Sequence, residues 1–285
     1  MSANTIAIIG HRGFAGKQVV SALAASPAKH IKVLYRPGSS ATDLPANVEA
    51  VEVDLADTSA LTAALRGVDI LISTVGAPGI ADQIAWIPAI KAAGVKLFAP
   101  SDFALLYTPT ERKAFGLIEA KHQVEEALRA AEVPFTVVLT GGFVEYSIHS
   151  PFIGIDVKNN TLNLVSDART HSISLSSTKY IGAGYASIFA ATPVEELAGR
   201  TIALVEVVAN GEQIIAALTK KHGGVAPQVT VQSLHDVDEE IATSDFALAP
   251  LLRKKWGTGA FTVGSDIWEV KEYQRPSIEE VILAA

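Results

Sequence analysis

The stretch IAIIGHRGFAGKQVV, residues 6–20, does most to limit what this chain can fold into. An apolar run rich in β-branched residues stops at Gly10, two further glycines stand at Gly13 and Gly16, and the segment KQVVSALAAS has helical character. A buried strand passing through a glycine turn into a helix is the opening unit of a parallel α/β sheet. The first half keeps the alternation. TIAIIG, IKVLYR, VEAVEVDL, VDILISTVG, VKLFAP and FTVVLTGG read as strands, with KQVVSALAAS, TSALTAALRG, IADQIAWIPAIKAAG and AKHQVEEALRAAE as the helices between them. Strands apolar throughout are covered on both faces, which predicts an α/β fold with a doubly wound parallel sheet over residues 1–143. Ligands of such sheets lie beyond the carboxyl ends of the strands, so the loops that follow each strand carry the functional reading.

After Phe143 the pattern is less regular. TLNLVSD, TIALVEV and PQVTVQSL read as strands, SSTKYIGAGYASIFAAT and NGEQIIAALTKKHG as helices, and SIEEVILAA as a closing helix capped by Ser277. No Pro/Ser-rich linker intervenes, so residues 144–285 are expected to form a smaller α/β substrate lobe, interleaved with the first and not an independent module.

The glycine spacing is Gly-x-x-Gly-x-x-Gly, so Gly10, His11, Arg12, Gly13, Phe14, Ala15 and Gly16 form a loop that opens a helix. Glycines allow close backbone approach, and a helix N-terminus offers N–H donors and a positive dipole end to a pyrophosphate. This dinucleotide reading ranks above that of a plain strand-to-helix turn because of the alternation that follows. An NAD site usually has an acid at the end of the second strand, but this chain has Arg36 and Ser39 in VLYRPGSS. A guanidinium with serine hydroxyls suits a 2′-phosphate, and Arg12 can help from the loop, so the expected cofactor is NADP(H). Asp54 is placed to accept from the adenine amino group, Leu55 to pack on that ring, and Thr74, Val75 and Gly76 to let the backbone approach the cofactor.

Within LIEAKHQVEEALRAA, Leu117, Val124 and Leu128 form an inward stripe on which Lys121 also lies, while His122, Glu125 and Glu126 are expected to point elsewhere. A lysine aimed into protein is costly unless it is paired or meets a polar cavity. Two readings stand side by side: its stem snorkels to solvent, or it sits beside the nicotinamide ribose and substrate as a proton-transfer group. Following the sixth strand, TGGFVEYSIHSPF brings Thr140, Gly141, Gly142 and Phe143 toward the nicotinamide end. Phe143, Tyr146 and His149 either line an apolar substrate pocket or pack between the lobes. Trp256 and Trp268 are expected in the core of the second lobe.

Other classes fall away on composition. The chain has 23 Lys and Arg against 30 Asp and Glu, a net charge of −7, without the concentrated basic face a nucleic-acid binder needs. It has no cysteine, which removes disulfides, thiol nucleophiles and thiolate metal sites. None of the 7 histidines has metal-ligand spacing, so no metal is expected. Ser101 and Ser147 lack a glycine elbow and His/Asp partners, which argues against a serine hydrolase. The opening residues carry neither a basic region nor a cleavage motif, and no apolar run is long enough to span a bilayer, so a cytoplasmic protein with no membrane partner is expected.

The ordered set IIGHRGFAG, YRPGSS, DLAD, GVDILISTVG, AGVKLFAPSDF and AKHQVEEALRAAEVPFTVVLTGGF resembles the isoflavone-reductase-like and NmrA-like group of atypical short-chain dehydrogenases, and HSISLSSTKYIG extends the likeness over most of the chain. The resemblance implies a Rossmann fold, NADP(H), a small C-terminal substrate lobe, and a lysine on the helix where Lys121 lies. Two departures stand out. Conventional members have Tyr-x-x-x-Lys, but Leu117 occupies the tyrosine position. Plant reductases of the group carry Ser-Glu-Phe after the fifth strand, where this chain has Ser101, Asp102 and Phe103, and this places Phe103 among the substrate residues. The expected activity is NADPH-dependent reduction of a small, largely apolar or aromatic metabolite by a monomer or homodimer. The alternatives are a non-catalytic NADP(H) sensor of NmrA type and an NADP(H)-assisted non-redox enzyme.

Overall fold

The computed structural model describes residues 3–244 and 246–285. Its central sheet has five parallel strands in the order β3-β2-β1-β4-β5, comprising β1 (Thr5–Ile9), β2 (His30–Tyr35), β3 (Val48–Glu52), β4 (Ile70–Ser73) and β5 (Leu97–Ala99). β1 is central and buried along its whole length, with Ile6 opposite Ile31 on one side and Ile70 on the other. The crossovers are α1 (Gly16–Ala24), α2 (Thr58–Ala64) and α3 (Gln83–Ala93). Their boundaries have local causes: the Asp57 carboxylate caps α2 by accepting from the Ser59 and Ala60 N–H groups, and Gly94 ends α3 in the left-handed region. Next come α4 (Pro109–Ala114), α5 (Gly116–Ala130) and β6 (Val137–Leu139), which adjoins β5 through a bridge between Phe98 and Phe135.

The second half builds a smaller lobe. β7 (Gly142–Phe143) leads into α6 (Val144–Ser147); β8 (Ile155–Asp156) and β9 (Thr161–Val165) follow, then β10 (Ser172–Ser176). After α7 (Thr178–Phe189) and α8 (Val194–Leu197), β11 (Thr201–Ala203) pairs in parallel with β6 and extends the nucleotide-side layer. β12 (Val207–Asn210), α9 (Gly211–Lys221) and β13 (Gln228–Gln232) return to the lobe, where the strand orders are β12-β10-β7 and β13-β9-β8. α10 (Leu234–Thr243), α11 (Leu248–Gly257) and α12 (Ile278–Ala284) complete it, with the Ser277 hydroxyl accepting from the Glu280 N–H as a cap.

α10 and α11 are absent from the sequence reading for a physical reason. α10 buries only Val237, and α11 turns Arg253 and Lys255 inward, so neither shows a clean apolar stripe. Trp256 is buried in the lobe core and donates its indole N–H to the His171 carbonyl at 2.8 Å. Trp268 is a correction: it is half-buried, packs on the layer containing β1 and α7, and donates to the Ser187 hydroxyl at 3.0 Å. α7 lies directly on α1, close enough that a Cβ on Gly182 would stand 2.5 Å from the Gln18 carbonyl oxygen. Among the described residues no helix is long and apolar enough to cross a membrane.

Candidate functional site

A cavity of about 660 Å³ opens beyond the carboxyl ends of β1, β2 and β4. Gly10, His11, Arg12, Gly13, Arg36, Ser39, Asp54, Leu55, Thr74, Val75 and Gly76 all line it, so the structure brings the greater part of the expected cofactor set together. Gly10 takes φ +101, and a Cβ there would stand 2.6 Å from the Thr74 carbonyl carbon; the turn is closed by a Gly13 N–H to Gly10 carbonyl bond of 2.8 Å. The loop therefore lies flat against the end of β4. His11 is buried and its Nε2 lies 3.0 Å from the Ser40 carbonyl, tying the loop to the β2 end. Arg12 and Arg36 are exposed on the rim, and Arg12 donates to the Ser39 hydroxyl at 3.4 Å. The N-terminus of α1 has no side-chain cap and no acid in its first turn.

The volume, the open helix N-terminus and the two guanidinium groups fit an extended, phosphorylated dinucleotide. The Asp54 carboxylate already accepts from the Ala56 N–H at 2.9 Å, which leaves its second oxygen for a ligand. Tyr35, Asp82 and Trp86 also line the cavity and carry no role in the sequence reading. Tyr35 reaches it from the end of β2, as the strand-end residues of such a sheet do, whereas Asp82 and Trp86 reach in from the start of α3, a helix and not a strand end.

Several expected residues lie elsewhere. Ala15 and Gly16 are buried behind the loop, where a Cβ on Gly16 would stand 2.2 Å from the Gly10 carbonyl oxygen. Thr140 is fully buried, and Gly141, at φ +70, lies where a Cβ would come 2.1 Å from the Ser174 carbonyl oxygen. The glycines of TGGF thus serve the packing of this segment on β10. Phe14 leaves the loop and stacks on Tyr146 with ring centroids 4.6 Å apart; Phe143 meets both, and Phe103 lies 6.3 Å from Phe143 and stacks on Tyr185. This aromatic cluster joins the glycine loop to the second lobe. His149 is exposed and outside it.

Lys121 does not line the large cavity. It borders a second one of about 150 Å³ with Asp102, Tyr107, Arg112, His122 and Glu125, floored by Val137 and Leu139. Two expectations about α5 are corrected here. Its buried residues are Ile118, Val124 and Leu128, with Leu117 half-buried, and His122 and Glu125 face the same cavity as Lys121. The Lys121 ammonium donates to the Asp102 backbone carbonyl. The segment between the cavities is short, since the Ser101 hydroxyl donates at 2.8 Å to the carbonyl of Val75, a residue of the larger cavity.

Burial pushes the Asp102 carboxyl up to about 6, with Lys121 opposing the shift and Glu125 adding to it. Burial likewise lowers the Lys121 ammonium, and Asp102 opposes this. A carboxyl whose folded-state pKa is raised favours the fold at low pH, and that advantage is lost as pH rises through about 6. Asp102→Asn should therefore match the parent near pH 3.5 and exceed it above pH 7, by at most about 3 kcal/mol. Urea unfolding at the two pH values checks this, and a difference independent of pH would contradict it.

Residues 2–248 match the model of the NmrA-like family. The chain belongs to the NmrA-like family. This NmrA-like protein is 36% identical over 159 residues to an isoflavone reductase-like protein of Olea europaea, over 50% of either chain. It thus spans about half the length of that curated relative. Its fold matches the binary complex of Vitis vinifera leucoanthocyanidin reductase with NADPH over 98% of both chains, with a TM-score of 0.79 and 18% identity. It also matches the NADPH-dependent quinone oxidoreductase of Escherichia coli complexed with NADPH, over 90% of both chains, with a TM-score of 0.64 and 25% identity. The Rossmann-type sheet of this NmrA-like protein is the fold they share.

Proposed function

We propose that this NmrA-like protein binds NADP(H) in the large cavity and reduces a small, largely apolar or aromatic metabolite. The observation that carries the reading is the rim on which Arg12, Ser39 and Arg36 meet, at the end of a β2 strand that bears no acid. Charge-assisted bonds from that rim suit a 2′-phosphate, which NADPH has and NADH lacks. The uncapped start of α1 and the flat glycine turn suit the pyrophosphate, and Asp54 and Leu55 suit the adenine. The NADPH complexes of the Vitis vinifera and Escherichia coli proteins support the same choice. Bound NADPH supplies the hydride; the chain supplies placement, field and a proton. With Leu117 where a tyrosine would stand, the proton would come from Lys121, from water or from a residue of the second lobe. Residues 1–143 would hold the cofactor, and residues 144–285 the substrate, with Tyr146 from the second part and Phe143 from the end of the first meeting it in the aromatic cluster.

A second reading, a cofactor-binding sensor without turnover, draws on the separation of Lys121 from the large cavity. Calorimetric titration with NADPH and NADH, followed by a substrate screen at saturating NADPH, separates the two. Arg36→Ala should weaken NADPH about 10- to 100-fold and change NADH less than about two-fold. Equal loss for both nucleotides would remove Arg36 from the 2′-phosphate site, and tight NADPH binding with no oxidation on any substrate would favour the sensor.

A further inference from the structure

The small cavity holds charges that their neighbours leave unmatched. Asp102 is 7% exposed, and neither carboxylate oxygen accepts a hydrogen bond among the described residues. The other charged groups around it are already engaged. Arg112 of α4 donates to the His122 ring at 2.9 Å; Glu125 of α5 pairs with Arg129 at 2.8 Å; Glu111 of α4 pairs with Lys255 of α11 at 3.0 Å. From the intervening loop comes the half-buried phenol of Tyr107, and near Asp102 lies the fully buried hydroxyl of Tyr185 of α7, which has no hydrogen-bond partner among the described residues. Among the described residues Lys121 forms no ion pair within 4 Å, and its ammonium donates to Asp102's own carbonyl. One unmatched acid and one unmatched base therefore share about 150 Å³ of cavity.

We propose that Asp102 is the positioning residue of this site: its carbonyl fixes where the Lys121 ammonium stands, and its carboxylate decides whether that group keeps its proton. The backbone bond holds Nζ whatever the side chain at position 102, so position and protonation are separable. Among the described residues Asp102 is also the charge that opposes the burial lowering the Lys121 ammonium. The coupling is reciprocal, because whatever a carboxylate does to an ammonium the ammonium does to the carboxylate. The catalytic consequence rests on the reading of Lys121 as the proton source; the coupling itself does not.

The test uses the full chain with ¹³Cε-labelled lysine, the Lys121 signal being identified by its loss in Lys121→Arg. The expected Lys121 midpoint lies below that of the other lysines. Asp102→Asn should lower it by about one pH unit or more, roughly a tenfold change in proton affinity, while Asp102→Glu restores the charge and brings it back toward the parent. In Lys121→Met, the carboxyl of Asp102, followed by ¹³C, should titrate at higher pH than in the parent. An unmoved Lys121 midpoint in Asp102→Asn, or an unmoved Asp102 midpoint in Lys121→Met, overturns the proposal. For turnover, the alkaline limb of kcat should follow the Lys121 midpoint through the same variants, and a limb that stays while the midpoint moves overturns the positioning role. Moving midpoints in a protein that oxidises no NADPH would instead defeat the reductase reading and leave the coupling standing.

Discussion

Glu111→Gln should lower the stability of the folded chain by about 3–5 kcal/mol, whereas Glu111→Gln combined with Lys255→Met should cost much less than the single change. The Lys255 side chain is 3% exposed, its ammonium lies 3.0 Å from the Glu111 carboxylate and 5.0 Å from the centre of the Tyr107 ring. Removing the carboxylate strands a buried cation with only a neutral amide and an aromatic face. Glutamine preserves the other task of this residue, since Glu111 also closes a capping box with Thr108 at the start of α4 and an amide can do the same. The single variant thus isolates the charge. The pair spans 144 residues and pins α11 to the segment that borders the Lys121 cavity. Urea unfolding of the two variants decides the matter, and a cost below about 1 kcal/mol for Glu111→Gln would place the pair with solvent-screened ones.

Gly10→Ala should cost about 3 kcal/mol or more and abolish NADPH binding even where the fold persists. The methyl group would meet the Thr74 carbonyl carbon at 2.6 Å and the Val75 nitrogen at 2.8 Å, both backbone atoms directly after β4, and φ +101 is strained for any L side chain. Neither the loop nor β4 can give without opening the sheet. Gly38→Ala is the control: it shares a positive φ, +76, but nothing lies within 4 Å of the new methyl, so only the backbone strain of about 1 kcal/mol applies. Thermal melts and NADPH calorimetry on both variants check the pair, and equal effects would mean that the crowding at Gly10 is relieved locally.

Most strands of the first half were legible because they are apolar runs with turn residues at their ends, a pattern that burial on both faces imposes; β3, VEAVE at the sheet edge, departs from it and keeps Glu49 and Glu52 exposed. The cofactor cleft was legible for a related reason: Arg36, Asp54 and Thr74 each stand where a parallel strand ends. What the sequence conceals is three-dimensional coincidence. Asp82 and Trp86 enter the cleft from α3, and Lys255 reaches Glu111 from the other end of the chain. Lys121 stood out as a cation on an apolar stripe, but the stripe starts at Ile118, not at Leu117, and His122 turns toward the cavity. Phe14 lies in a glycine loop yet belongs to an aromatic cluster with Tyr146, a pairing that no spacing announces.

The path of the chain also sets an order on its synthesis. One face of the central sheet is sealed by Tyr180, Ile181, Tyr185 and Ile188 of α7 and by Ile202 and Leu204 around β11. While the polypeptide is still being made, Ile6 and Ile8 have only α1, through Val19, Val20 and Leu23, to cover them on that side until the ribosome has released residues near position 204. The nascent first half must wait, with its apolar layer open to chaperones, and a chain terminated at residue 143 would keep that layer exposed for good.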